Sequence, residues 1–487
     1  MAETLEKPTA TEIEASSSTV REEQDPIDPK AERQLVRKID WQLIPVLFFL
    51  LMAAFLDRIN IGNARLLGLE DDLGMRGNDF NIALFMFFIP YILLEVPCNL
   101  IMKKVRPSIW LSGLILGFGI TTICQGLTQN FAGLVVCRIF VGVFEAGYFP
   151  GAIYLISMYY KRYELQLRIN VFFSSSVFAG AFSGLLAYGI GHMDNVRGYS
   201  AWRWLFILEG VATVLLALVS YFIIPDWPEN AKFLQPGETV LLRRRLLEDS
   251  GPAQMDTYDR KATRRVFLDP KLYLGFLMFL SVTVTGYSIS LFTPTILHGF
   301  GWSALRTQVM TIPIYITAGC LTIIVAVFSD HAHHRYGFAI AGLAVSTVGY
   351  IILLVSHTSL GVRYTAIFFT ATGAYIALPI TITWVNNNMG GHYKRAVAAG
   401  FQIGLGNCGG IIGSNIYLRG EAPFYLTGYS TGLSFICLGI ASCTAFLAVC
   451  FFENKKRERG ERDYLYELPQ EELANLGDDH PSFRYTY

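Results

Sequence analysis

Charge is what this chain has least of. Asp, Glu, Lys and Arg make up 16% of its 487 residues, against 52% hydrophobic ones, where a soluble chain carries about a quarter charged residues. The mean hydropathy of +0.39 points the same way. The 39 basic and 39 acidic residues cancel, so no global field directs the chain to nucleic acid. The 8 cysteines (Cys98, Cys124, Cys137, Cys320, Cys408, Cys437, Cys443 and Cys450) fall within apolar runs and form no CxxC pair. That argues against a disulfide framework or a zinc site and leaves them as small packing residues. The stretch 1–38 is acidic and Ser/Thr-rich, with no apolar core. It is therefore not a cleaved signal peptide and is expected to be a disordered cytosolic tail. No Ser/His, paired-Asp or metal-ligand arrangement recurs at one depth, so the expectation is a non-enzyme with no metal and no cofactor.

What is abundant is apolar sequence in runs long enough to cross a bilayer. About twelve occur, at 39–63, 80–102, 108–127, 131–160, 168–190, 202–224, 271–297, 305–328, 336–356, 364–389, 396–418 and 427–452. The expected fold is an all-α polytopic membrane protein with about 12 transmembrane helices. A long interruption at 225–270 separates two six-helix bundles, 39–224 and 271–453, and leaves a tail at 454–487. Lys103, Lys104, Arg106, Lys161, Arg162, Arg335, Lys394, Arg395 and 455–459 mark one side, and so do the arginines of the central loop. The opposite loops are poor in Lys/Arg or acidic, as at Glu70-Asp71-Asp72. The positive-inside rule then puts both termini in the cytosol. Within the central loop, 238–248 is amphipathic and is expected to form a helix, either on the inner membrane surface or as a solvated linker.

One stretch breaks the pattern. Ala53-Ala54-Phe55-Leu56-Asp57-Arg58-Ile59-Asn60 sets an acid beside a base where an apolar run should continue. The run 41–56 reaches only about 24 Å of a roughly 30 Å hydrocarbon core, so the helix must carry Asp57 and Arg58 inside the membrane. Ionisable groups there mark ion or substrate pathways. The fourth run offers partners, Arg138 and Glu145. Seven residues apart, they share a helix face with Gly142 between them, Glu145 about 10 Å deeper. Counted along their helices, Arg138 and the Asp57-Arg58 pair lie at similar height, so two acids and two bases can meet in one cavity. Glu95 and Glu209 read instead as structural ion-pair or helix-end groups.

The second half carries almost no charge in its spans. Its polar groups are neutral: Thr285, Tyr287, Ser288 and Ser290 in the seventh run, Thr381, Thr383, Trp384 and 386–388 in the tenth, and Gln402, Asn407 and Asn415 in the eleventh. Trp384 and Asn407, each about 17 Å from the turn at Lys394-Arg395, are expected near the midplane. Gly404-Leu405-Gly406-Asn407-Cys408-Gly409 matches GxGxxG formally. It lies in a membrane span without a preceding soluble strand, so its glycines read as close helix packing.

A six-plus-six layout with a basic central loop resembles the major facilitator superfamily. The loops at 99–107 and 329–335 look like degenerate copies of its loop motif, which accounts for His331, His333 and His334 without a metal. Within it the chain resembles the anion:cation symporter branch, which includes fungal allantoate, nicotinate and vitamin permeases. It runs over about 39–459 and is carried by Leu56-Asp57-Arg58-Ile59-Asn60-Ile61-Gly62-Asn63-Ala64, by Arg138-x-x-x-Gly142-x-x-Glu145-Ala146-Gly147, by 202–210 and by 225–234. The resemblance implies Asp57 and Glu145 as proton-accepting carboxylates and Arg58 and Arg138 as partners of those acids or of an anionic substrate. It further implies Thr381, Thr383, Trp384 and Asn407 as substrate contacts, and Tyr287, read from the polar groups of the seventh run, is expected to join them. The fifth run has no proline, unlike drug/proton antiporters, and the sugar-porter motif is absent. The expected function is proton-coupled symport of a small organic anion by a monomer in the plasma membrane, driven by the proton gradient. An exporter on the same fold and a non-transporting nutrient sensor are the alternatives.

Overall fold

The computed structural model describes residues 28–102, 104–250, 260–332, 334–356, 359–390, 392–469, 473 and 476–487. The first half contains α1 (Pro29–Ala64), α2 (Asp79–Met102), α3 (Pro107–Gly126), α4 (Phe131–Glu145), α5 (Tyr148–Ser157), α6 (Arg162–Gly191) and α7 (Ala201–Ile223). The central segment holds α8 (Pro236–Ser250) and α9 (Arg260–Leu268). The second half contains α10 (Pro270–His298), α11 (Ala304–Ala332), α12 (Tyr336–Val355), α13 (Leu360–Asn387), α14 (His392–Gly406), α15 (Cys408–Asn415) and α16 (Leu426–Glu458). Among the described residues, 11 spans are long and apolar enough to cross a membrane. The remaining run, the eleventh, is there as well, but it is divided between α14 and α15.

Two runs expected as single helices are broken, both for local reasons. Pro150 supplies no amide to the carbonyl of Ala146 and its ring crowds that carbonyl. The fourth run therefore stops at Glu145 and restarts at Tyr148. In the eleventh, Gly404, Gly406, Gly409 and Gly410 each weaken the helix by about 1 kcal/mol relative to alanine, and the break falls at Asn407. Those glycines also let the chain lie close to its neighbours, as their density predicts. A Cβ on Gly409 would sit 2.3 Å from the Thr283 hydroxyl of α10, and one on Gly410 would sit 2.1 Å from the Phe88 ring of α2. Gly142 works likewise within the first bundle, where a Cβ would fall 2.2 Å from the Phe87 carbonyl oxygen.

The two bundles meet along α1 and α10, α2 and α15, and α6 and α11. The contacts lie mostly on the face opposite the described chain ends. Gly62 brings α1 onto α10, so that a Cβ there would be 2.4 Å from the Leu291 oxygen. Asn81 Nδ2 donates to the Ser414 carbonyl at 2.6 Å. Glu70 pairs with Arg65 at 2.8 Å and reaches Arg419 of the other half at 3.6 Å. The halves are thus closed against each other on this far face.

The terminal face is more ordered than the disordered tail expected at 1–38. Residues 1–27 lie outside the described residues, but 29–38 are helical. Asp28 caps α1 by accepting from the Lys30 amide at 3.0 Å, and Pro29 suits the first helical position. Glu32 is held by Lys161 at 2.6 Å and Arg245 at 3.2 Å, and Lys38 by Glu238 at 2.6 Å. Arg245, fully buried, also pairs with Glu164. So α8, the expected amphipathic helix, is bound to the first bundle by its charges.

The residues after α16 fold back as well. Asp478 is buried between Lys271 at 2.9 Å and Lys394 at 2.8 Å, and Asp269 joins both lysines. Arg457 donates to the carbonyls of Asp478 and Phe483 at 2.6 and 2.7 Å. This strap joins α10, α14 and α16. Burial alone would push the Asp478 carboxyl up, but Lys271 and Lys394 outweigh it and hold the group below the usual carboxylate range. A carboxylate lowered by folding adds stability that is complete above its unfolded value, about pH 4, and fades as pH falls through the folded one. The wild-type strap is therefore expected to resist limited trypsin cleavage at Arg484 equally at pH 8 and pH 5. Asp478→Asn, which leaves two lysines facing a neutral amide, should be cut readily at both.

Candidate functional site

Four ionisable side chains from α1 and α4 converge inside the first bundle. Asp57, Arg58, Arg138 and Glu145 are only 2–4% exposed. They pair across the helices, not with their sequence neighbours. Arg58 Nη2 donates to Glu145 Oε1, while Arg138 Nη1 lies 4.0 Å from Asp57 Oδ2. The two pairs are unequal. Arg58–Glu145 is a direct hydrogen-bonded ion pair, whereas both Asp57 oxygens, and Nε and Nη2 of Arg138, have no hydrogen-bond partner. The break after Glu145 puts this carboxylate at the end of α4. Gly142, one turn earlier, lets α2 pass close beside it.

Arg58 is enclosed by rings. Phe55, Phe87, Tyr91 and Tyr287 have centroids 4.6, 4.8, 5.2 and 5.4 Å from its guanidinium carbon. Such contacts contribute about 0.5–2 kcal/mol each, more where water is excluded. Its Nη1 donates to the Tyr287 hydroxyl at 2.8 Å, which donates to Asn407 Oδ1 at 2.9 Å. A charge on α1 of the first bundle is thereby linked to α10 of the second and to the break between α14 and α15.

A cavity opens between the bundles at this point. Its polar lining comprises Arg58, Ser176, Thr283, Ser290 and Asn407, and its walls are largely aromatic, with Phe55, Tyr91, Phe149, Phe173, Phe279, Tyr287 and Tyr375. Among the expected site residues, Arg58, Tyr287 and Asn407 line it, and Glu145 reaches it through Arg58. Asp57 and Arg138 lie behind them as a second pair. Among the described residues no group of three or more His, Cys, Asp or Glu side chains gathers as a metal site would.

Thr381, Thr383 and Trp384 fall elsewhere. Thr381 is buried and donates to its own helix at Leu378 O, 2.9 Å away. Trp384 is fully buried against Phe446 and Tyr336, with Nε1 donating to the Thr486 carbonyl of the strap at 3.0 Å. Its expected depth was measured from Lys394-Arg395, whereas α13 ends at Asn387. Trp384 is thus about one helical turn from the terminal face, while Asn407 lies roughly 23 Å along α14. Tyr375 and Leu378, two turns deeper, are what α13 gives the cavity. The aromatic box of Phe55, Phe87 and Tyr91 was missed. Phe55 and Tyr91 could have been found, since Phe55 lies one turn before Arg58 and Tyr91 one turn before Glu95.

Glu95 and Glu209, expected as structural ion-pair or helix-end groups, form no ion pair among the described residues. Asn60 Nδ2 donates to Glu209, within a cluster where Asn63 donates to Asn60 Oδ1 at 2.8 Å and to Ser183 Oγ at 2.5 Å. The Asn407 side chain lies beside Glu95. Both carboxyls keep one oxygen unpartnered.

Residues 47–414 match the model of the Major Facilitator Superfamily. The uncharacterized transporter C1002.16c of Schizosaccharomyces pombe is 37% identical, over 88% of this chain and 86% of that protein. The MFS-type transporter cnsO of Penicillium expansum is 35% identical, over 94% and 91%. The major facilitator-type transporter hxnP of Emericella nidulans is 32% identical, over 94% of both. In fold, the chain is similar to a bacterial homolog of the human lysosomal transporter Spinster in an inward-facing, unoccupied conformation, with TM-score 0.62, 16% identity and coverage of 86% of this chain and 97% of that one. The chain belongs to the Major Facilitator Superfamily and is a multi-pass membrane transporter.

Proposed function

We propose that this transporter is a proton-coupled symporter of a small organic anion, working by alternating access at the Arg58 cavity. The observation that carries the reading is a buried guanidinium that lines the space between the bundles while its counter-ion, Glu145, sits on the other side of it. Breaking such a pair by removing one charge costs about 3–5 kcal/mol. An incoming carboxylate must therefore replace Glu145 as the partner of Arg58, and protonation of Glu145 makes that replacement possible. Arg58 then offers a carboxylate paired donors. The Asp57–Arg138 pair behind it, loose at 4.0 Å, provides a second acid to exchange a proton while the net charge of the cavity stays small.

The lining indicates the kind of acid. One fixed positive charge suits one carboxylate, and seven aromatic rings among the lining residues suit a flat or apolar body. The hydroxyls of Ser176, Thr283 and Ser290 leave room for a few polar substituents. Nicotinate or another vitamin acid fits this better than a sugar acid, whose many hydroxyls would lack partners. Basic loops on the terminal face support a cytosolic location for both ends, with the closed far face turned away from the cytosol.

Uptake of a radiolabelled panel (nicotinate, benzoate, allantoate and gluconate), with and without an inward proton gradient, tests the function. Gradient-driven accumulation of an aromatic monocarboxylate is expected. Asp57→Asn and Glu145→Gln should each abolish accumulation; if both variants accumulate normally, the coupling scheme is wrong. Arg58→Lys keeps the charge but loses the planar fork. Its substrate affinity should fall by about tenfold, the value of one lost 1.4 kcal/mol contact. Unchanged affinity would rule out direct contact.

A further inference from the structure

Glu95 is a buried carboxyl that the coupling scheme leaves unused. It lies on α2 one turn from Tyr91, on the terminal-face side of Arg58, and is 3% exposed. It belongs to the first bundle but points at the second. A Cβ on Gly404 of α14 would meet its Oε2 at 3.5 Å and its Oε1 at 3.7 Å. The side chain of Asn407, which follows α14, lies beside it. Hydrogen bonds thus run from Glu145 through Arg58 and Tyr287 to Asn407, and Glu95 of the first bundle lies next to that end.

Among the described residues no cation pairs with this carboxyl. On its own helix the nearest titratable group is Tyr91, α10 contributes Tyr287, and α14 contributes the uncharged Gly404 and Asn407. No ion pair to Glu95 occurs among the described residues, and Oε2 has no hydrogen-bond partner. A carboxylate ion held there without a cation costs several kcal/mol, whereas the uncharged acid is tolerated. When α2 and α14 separate, water replaces Gly404 against the carboxyl and that cost disappears.

We infer that Glu95 is the positioning residue of the terminal-face gate: α2 and α14 close on it as the uncharged acid and part when it ionises. Closing takes one proton from water on the terminal face and opening returns it to the same side. The step therefore sets the probability of opening without adding to the protons carried across. It also gives the gate a link to the site, since Asn407 lies beside Glu95 while accepting from Tyr287, the group that Arg58 holds. This inference rests on alternating access but not on proton-coupled uptake.

Spin labels at Leu100→Cys on α2 and Gly400→Cys on α14, with the native cysteines replaced by serine, read the gate directly. Gly400 has open space around it and Leu100 is 59% exposed, so neither label disturbs packing. Distance distributions in lipid nanodiscs from pH 5 to pH 9 should move from short to long as pH rises. A one-proton switch changes the ratio by at most about tenfold per pH unit. Glu95→Gln should stay at the short distance at every pH, and Glu95→Asp should recover the shift. A wild-type distribution that ignores pH, or a Glu95→Gln protein that shifts like wild type, overturns the inference. Neither result depends on whether Asp57→Asn or Glu145→Gln abolishes uptake, so failure of the symport reading would be seen separately.

Discussion

A guanidinium in the middle of a membrane protein must have an anion, and Arg58 takes one from a different helix. The pairing with Glu145 requires α1 and α4 to lie side by side at matching depth. Gly142, where a Cβ would strike the Phe87 oxygen, lets α2 close over them. Pro150 ends α4 where its carboxylate is needed. Much of the first bundle's interior can be read as the set of conditions under which this charge is tolerable. The rings of Phe55, Phe87, Tyr91 and Tyr287 stand around it where water would otherwise have to be.

The second bundle contributes neutral groups to the same charge. Tyr287 and Asn407 extend the hydrogen-bond chain from Arg58, and Asn407 lies where glycines have already weakened the helix. A link of this kind can shift as the bundles move without exposing a buried charge of its own. The strap around Asp478 ties the terminal-face ends of α10, α14 and α16 together.

Much of this was legible in the sequence because a bilayer imposes strong local rules. Apolar runs give the spans, and the second, expected at 80–102, is α2 at Asp79–Met102. The depth of Asp57 follows from the shortness of the run before it, and the shared face of Arg138 and Glu145 follows from their spacing of seven. The crossed pairing was not legible, since Arg58 could as well have paired with its neighbour Asp57. Trp384 was misplaced because one uncertain turn shifted a depth by several residues. The strap was invisible because the attraction between Asp478 and the lysines at 271 and 394 leaves no periodic trace. Similarly, 29–38 looks disordered by composition but is ordered by Lys161, Arg245 and Glu238.

The central claim is that a substrate carboxylate and a proton exchange places at Arg58 and Glu145. Infrared difference spectroscopy of the purified protein in lipid, with and without the transported anion at neutral pH, observes that exchange itself. Binding should produce a new carbonyl stretch of a protonated carboxylic acid, sensitive to deuteration and missing from Glu145→Gln. Tight binding with no such band, or with the same band in Glu145→Gln, would contradict it.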